Sequence, residues 1–192
     1  MKALQALPDG YREIFSVNLA KNKKMLIGLN VTALIVAVLM AISAAFIIPI
    51  SAMFDFSDGF FMYWFRFIIL TVGTFAYILL HELVHGITMK YFGCQKVQYG
   101  FTLTYAYAGC QDYFSKKPYI VIALAPVVFW GIILAILCLV VPESWFWTVY
   151  IIQICNISGA AGDAYVTWKF SKMPADILVQ DTGVSMTVYS AQ

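Results

Sequence analysis

A chain of 192 residues that is 62% hydrophobic and 11% charged, with mean hydropathy +0.81, carries more apolar surface than the core of one small globule can hold, so lipid is expected to solvate part of it. A net charge of +2 is too small to attract a polyanion, and nucleic acid is not expected as a partner. The four cysteines, Cys94, Cys110, Cys138 and Cys155, show no C-x-x-C spacing, so neither a disulfide framework nor a zinc ribbon is expected.

Residues 1–24 are polar, and Pro8, Asp9 and Gly10 interrupt any early apolar run. The first long apolar stretch, 25–50, exceeds the hydrophobic region of a signal peptide and is expected to be retained as a span. A second stretch runs over 60–88. A third, opening on Pro118, covers 118–141, and a fourth, opening on Trp145, Phe146 and Trp147, covers 145–168. Pro142, Glu143 and Ser144 form the turn between the last two.

Between the second and third stretches the pattern changes. Val97, Tyr99, Phe101, Leu103, Tyr105 and Tyr107 alternate with Gln98, Gly100, Thr102, Thr104 and Ala106, the period of a half-buried strand. Val184, Met186 and Val188 repeat it weakly after Asp181, Thr182 and Gly183. The expected fold is therefore an all-α membrane protein of four transmembrane helices with a small cytoplasmic β element. Its parts are a cytoplasmic N-terminal segment 1–24, a four-span membrane domain 25–168, and a cytoplasmic tail 169–192.

Lysine and arginine orient this arrangement. Lys2, Arg12, Lys21, Lys23 and Lys24 precede the first span, Lys90, Lys96, Lys116 and Lys117 separate the second from the third, and Lys169 and Lys172 follow the fourth. All these fall on one side, which is then cytoplasmic together with both termini. The other side carries Asp55, Asp58 and Glu143, and Arg66 lies near the outer end of the second span. Arg66 can snorkel outward toward Asp55 or Asp58.

The second span contains His81-Glu82-Leu83-Val84-His85, an H-E-x-x-H motif. Positions i and i+4 share a helix face, so both imidazoles can bind one zinc ion while Glu82 acts as base on a water beside it. The chain has two histidines in all, and ionisable groups inside apolar spans are costly and usually functional. A third ligand must be a carboxylate or a cysteine. Asp163, the acid of the fourth span, is the leading candidate, because the topology places it at the depth of His81 and His85. Asp112 and Cys155 are rivals. Asn156, two turns before Asp163, offers an amide to a substrate or an oxyanion, or serves as packing glue between helices. Gly159 and Gly162 allow close backbone approach or an opening of the helix.

His81-Glu82-Leu83-Val84-His85 in one span and Asn156-Ile157-Ser158-Gly159-Ala160-Ala161-Gly162-Asp163 in a later one resemble the site-2 protease type of intramembrane zinc metalloprotease, closest to the compact bacterial "putative zincin peptidase" family. Ala125-Pro126 resembles the small-residue-proline step of the same enzymes. The resemblance implies zinc held by His81, His85 and Asp163, water activation by Glu82, and substrate contact by Asn156. It also departs from the family pattern: the usual motif has prolines between its Asn and Asp and a glycine after the Asp, whereas here the intervening residues include Gly159 and Gly162, and Ala164 follows. The expected function is hydrolysis of peptide bonds in membrane-embedded substrates, the partners being a membrane-protein or peptide substrate and the lipid bilayer of the cell membrane. Two rival functions are a non-catalytic zinc-binding scaffold and a small transporter using Glu82 and Asp163 as a relay.

Orientation is directly measurable. Single cysteines placed beside Lys23, Lys96 and Lys172 should resist impermeant thiol reagents applied to intact cells, and one beside Asp58 should react. External labelling at Lys96 would reverse the assignment.

Overall fold

The computed structural model describes residues 2–18, 21–102 and 105–191. In chain order the elements are β1 (Tyr11–Asn18), α1 (Lys23–Ala45), a 3-10 turn (Ile50–Phe54), α2 (Phe60–Tyr91), β2 (Val97–Phe101), β3 (Ala106–Ser115), α3 (Lys116–Val140), α4 (Glu143–Gly159), α5 (Ala161–Ser171), β4 (Leu178–Asp181) and β5 (Ser185–Ala191).

The four-helix, all-α expectation is overturned. The five strands form one antiparallel sheet in the order β1-β5-β4-β3-β2, and among the described residues three helices, α1, α2 and α3, are long and apolar enough to cross a membrane. The expected fourth span is two helices. α4 ends at Gly159, Ala160 adopts φ −78° and ψ 16°, and α5 begins at Ala161. Nothing lies within 4 Å of a Cβ built on Gly159 or Gly162, so neither glycine is there to admit a neighbour. Of the two readings of these glycines, the opened helix is the one observed.

The sheet is larger than expected because the polar N-terminal segment supplies a strand. Tyr11 pairs with Ala191 and Asn18 with Ser185. The alternation over 97–107 is a hairpin rather than one strand: Val97 faces Cys110 and Phe101 faces Ala106. Its Leu103 and Thr104 lie outside the described residues. The tail expectation holds at β4 and β5, where Gly183 makes the turn with φ +82°, a conformation only glycine adopts freely.

A disulfide, which the spacing of the cysteines did not suggest, joins Cys94 to Cys110. The end of α2 explains it. Gly93 has φ +96°, Cys94 N–H donates to Met89 O at 3.0 Å and Gly93 N–H donates to Lys90 O at 2.9 Å. This Schellman stop turns the chain so that Cys94 leaves the helix against β3.

Two compact units share the chain. The first comprises 1–29, 80–126 and 162–192 and includes the whole sheet. Its core gathers Met89, Phe114, Ile122, Val166, Phe170, Ile177, Val179 and Val188 around the disulfide. The second comprises 30–79 and 127–161, with Ala44, Phe146 and Trp147 buried together. Large apolar side chains along α1 remain exposed, Ile27 by 62% and Leu34 by 64%, as expected of helix faces solvated by lipid.

Arg66, in the second unit, reaches toward both Asp55 and Asp58, as expected, but from a buried position. It is 2% exposed and donates from Nη1 to Ser144 O at 3.0 Å and from Nη2 to Asp55 O, with Asp58 Oδ2 at 3.6 Å from Nη1. Arg66→Ala leaves two carbonyls without their donor and should cost on the order of 2–4 kcal/mol of stability. Thermal unfolding in detergent should show the loss. Arg66→Lys should recover less than half, since an ammonium cannot reproduce the planar fork. An unchanged midpoint for the alanine variant would refute this role.

Candidate metal centre

His81 and His85 lie on one face of the last third of α2, with ring centroids 4.9 Å apart. Asp163 stands in the first turn of α5, a position it owes to the helix break at Ala160. The start of a helix carries unpaired N–H groups and favours an anion. All three residues belong to the first unit. His81 Nε2 is 3.6 Å from Asp163 Oδ2, and His85 Nε2 is 3.6 Å from Asp163 Oδ1.

These separations test whether a metal fits. At 3.6 Å the contacts are too long for good hydrogen bonds. Ligand atoms at about 2.0–2.1 Å around one tetrahedral zinc stand roughly 3.3–3.4 Å from each other, close to what is observed. Two imidazoles and a carboxylate, with their ligand atoms within 4.8 Å of one another, are the donor set of an open zinc site that leaves one position to water. The ring of His85 is further fixed by Nδ1, which lies 2.9 Å from Ile122 O.

The backbone N–H of Ala108 in β3 lies near the carboxylate of Glu82, the residue that follows His81 in sequence. One turn on, a Cβ built at Gly86 would fall 1.9 Å from the Tyr99 hydroxyl, so only glycine admits the ring of Tyr99 from β2 against α2. Burial, and then the nearby Glu82 charge, raise the Tyr99 phenol above its ordinary pKa. The β2-β3 hairpin thus covers the motif with both a backbone donor and a phenol.

Sequence reasoning missed two further groups. Tyr119 donates a hydrogen bond to Asp181 Oδ2, and Gly183 N–H donates to Oδ1 of the same carboxylate at 2.8 Å. Burial lifts Asp181 above the usual carboxylate range, while these two donors and the charge of His85 pull it back. In the sequence, Asp181 reads only as the first residue of a turn, and nothing in its neighbours signals burial.

The remaining candidates have partners of their own. Asp112 accepts from Gln95 N–H at 2.8 Å and forms a second potential ligand trio with Cys94 and Cys110, whose sulfurs are joined to each other. Cys155 is a half-buried free thiol of the second unit. Asn156, also in that unit, is fully buried. Its Oδ1 accepts from Tyr77 OH at 3.0 Å, and its Nδ2 donates to Val127 O at 3.1 Å and Gln153 Oε1 at 3.3 Å. That network ties α2, α3 and α4 together within the unit.

Two imidazoles, a carboxylate distant in sequence and an adjacent glutamate are the donor set and base of a zincin-type centre. Residues 74–178 match the family model described as "Putative zincin peptidase", and the chain belongs to that family. The family's description is that of a zincin peptidase, a class that uses zinc as its cofactor. A protein of Pyrococcus woesei, described as "Uncharacterized 24.7 kDa protein in gap 5'region", is 33% identical over 114 residues, 57% of this chain and 49% of that protein. The chain therefore spans about half the length of that relative. No solved structure matches the chain significantly.

The fit of Tyr99 over Gly86 can be tested by a double-mutant cycle. Gly86→Ala should destabilise the protein by about 1–3 kcal/mol through overpacking, and the same change in a Tyr99→Ala background should cost almost nothing. Equal losses in both backgrounds would show that the two residues do not meet.

Proposed function

We propose that the chain is an intramembrane metallopeptidase of the site-2 protease type, which hydrolyses peptide bonds of membrane-embedded substrates. The observation that carries the reading is the convergence of His81, His85 and Asp163 at 3.6 Å beside Glu82. His81 and His85 would hold zinc through Nε2 and Asp163 through its carboxylate. Bound there, zinc supplies a Lewis acid for the scissile carbonyl and lowers the pKa of a water toward neutrality. Glu82 takes the proton from the attacking water and delivers it to the leaving amine.

The membrane setting rests on α2, which is long and apolar enough to span and carries the motif in its last third. A helical substrate hides its carbonyls and must be extended before attack. β2 is an edge of the sheet, so its outer side offers main-chain groups for strand addition by such a segment. To donate its amide to a substrate, Asn156 would have to give up the Nδ2 hydrogen bond to Val127 O or to Gln153 Oε1. As it stands, its contacts favour the packing role.

The lysine and arginine asymmetry supports a multi-pass arrangement with both termini cytoplasmic. The Cys94–Cys110 disulfide argues the other way for an ordinary reducing cytosol, although intracellular disulfides are frequent in hyperthermophiles. The labelling experiment on the spans decides between them.

Purified protein should carry about one zinc per chain. Glu82→Gln should retain that zinc and lose cleavage of a model transmembrane peptide by at least 100-fold, whereas His81→Ala should lose both. A scaffold would show no cleavage in the parent protein, and a relay transporter would move ions without hydrolysis. Cleavage undiminished in Glu82→Gln would overturn the proposal.

A further inference from the structure

Pro126 lies inside α3, ten residues from its start. In an α-helix the N–H of residue i donates to the carbonyl of residue i−4. Proline has no N–H, so the carbonyl of Ile122 loses its helical donor. Ile122 is 1% exposed, and a buried carbonyl without a partner costs about 1–3 kcal/mol. The atom found against it is His85 Nδ1, at 2.9 Å. The carbonyl can only accept, so Nδ1 must carry the proton. In the neutral ring the lone pair is then on Nε2, the nitrogen that faces Asp163 at 3.6 Å. The opposite tautomer would set the Nδ1 lone pair against the carbonyl oxygen and point an N–H at the metal position. His85, Ile122 and Pro126 all belong to the first unit.

We propose that Pro126 is a positioning residue for the metal centre: by withholding an N–H from the Ile122 carbonyl, it reserves that oxygen for His85 Nδ1–H and fixes His85 as an Nε2 ligand. The inference rests on the metal-binding reading above. It also gives the proline a task other than bending a helix. Partners that orient a ligating histidine typically change metal affinity by about 10–100-fold when lost.

With two histidines in the chain, ring-¹⁵N labelling gives two imidazoles, told apart by a His81→Gln reference. In metal-free parent protein, the neutral His85 ring should be protonated at Nδ1 and bare at Nε2. Pro126→Ala returns a backbone N–H to compete for Ile122 O. It should populate the other His85 tautomer and weaken zinc binding by about 10–100-fold. A kink function is separated by moving the proline: A125P/P126A keeps a proline in α3 but frees the carbonyl of Val121 instead, and it should fail to restore either signal. Recovery of both in that double variant, or an unchanged tautomer and zinc affinity in Pro126→Ala, would overturn the inference. A parent His85 protonated at Nε2 would do so even if the variants did not fold. Parent protein that binds no zinc but shows the Nδ1–H tautomer would sink the metal reading and leave the His85–Ile122 contact standing.

Discussion

Two imidazoles four residues apart on a long apolar helix set the constraint that the rest of the site satisfies. Neither ring can be left without polar partners where lipid or packed side chains exclude water. Asp163 answers both at once, one oxygen toward each Nε2, and it can do so because the chain interrupts its helix at Ala160 and begins a new one two residues before the carboxylate. A continuous helix through this point would give Asp163 no free N-terminal turn. The break that disqualifies the segment as a fourth uninterrupted span is therefore the feature that serves the candidate metal centre.

Around that centre the sheet acts as a frame. Gly93 ends α2 and directs Cys94 into a disulfide with Cys110 of β3, which ties the helix that bears the motif to the strand that bears Ala108. Ala108 of that strand lies near Glu82, and Tyr99 of the neighbouring strand lies over Gly86. Backbone donors and packed rings hold a reactive carboxylate with less freedom than a long side chain would. On the opposite flank, α3 contributes the Ile122 carbonyl to His85 and Tyr119 to Asp181. Two further helices, α3 and α5, and two strands, β2 and β3, thus reach a few residues of α2 within the first unit.

Much of the candidate site was legible in the sequence because it is local. His81, Glu82 and His85 are spaced by the helix repeat, and Asp163 is the acid of its apolar stretch, so composition and period suffice to nominate them. The larger part of the fold was not legible. β1 and β5 pair residues at opposite ends of the chain, Tyr11 with Ala191, and no local pattern in 1–24 announces a strand whose partner is so distant. The cysteine pairing is likewise non-local: Cys94 and Cys110 look like unrelated thiols until the helix stop and the hairpin bring them together. Alternation over 97–107 revealed extended backbone but not the reversal within it. In the fourth apolar stretch, hydropathy concealed a break that Gly159 and Gly162 had signalled as a possible opening.

X-ray absorption at the zinc edge of the purified protein tests the central claim most directly, because the two potential ligand trios among the described residues carry different donor atoms. The account predicts a first shell of nitrogen and oxygen only, at about 2.0–2.1 Å, with the outer scattering of two imidazoles. A sulfur shell near about 2.3 Å would place the metal on Cys94 and Cys110 instead, and a spectrum without imidazole scattering would contradict the assignment of His81, His85 and Asp163 altogether.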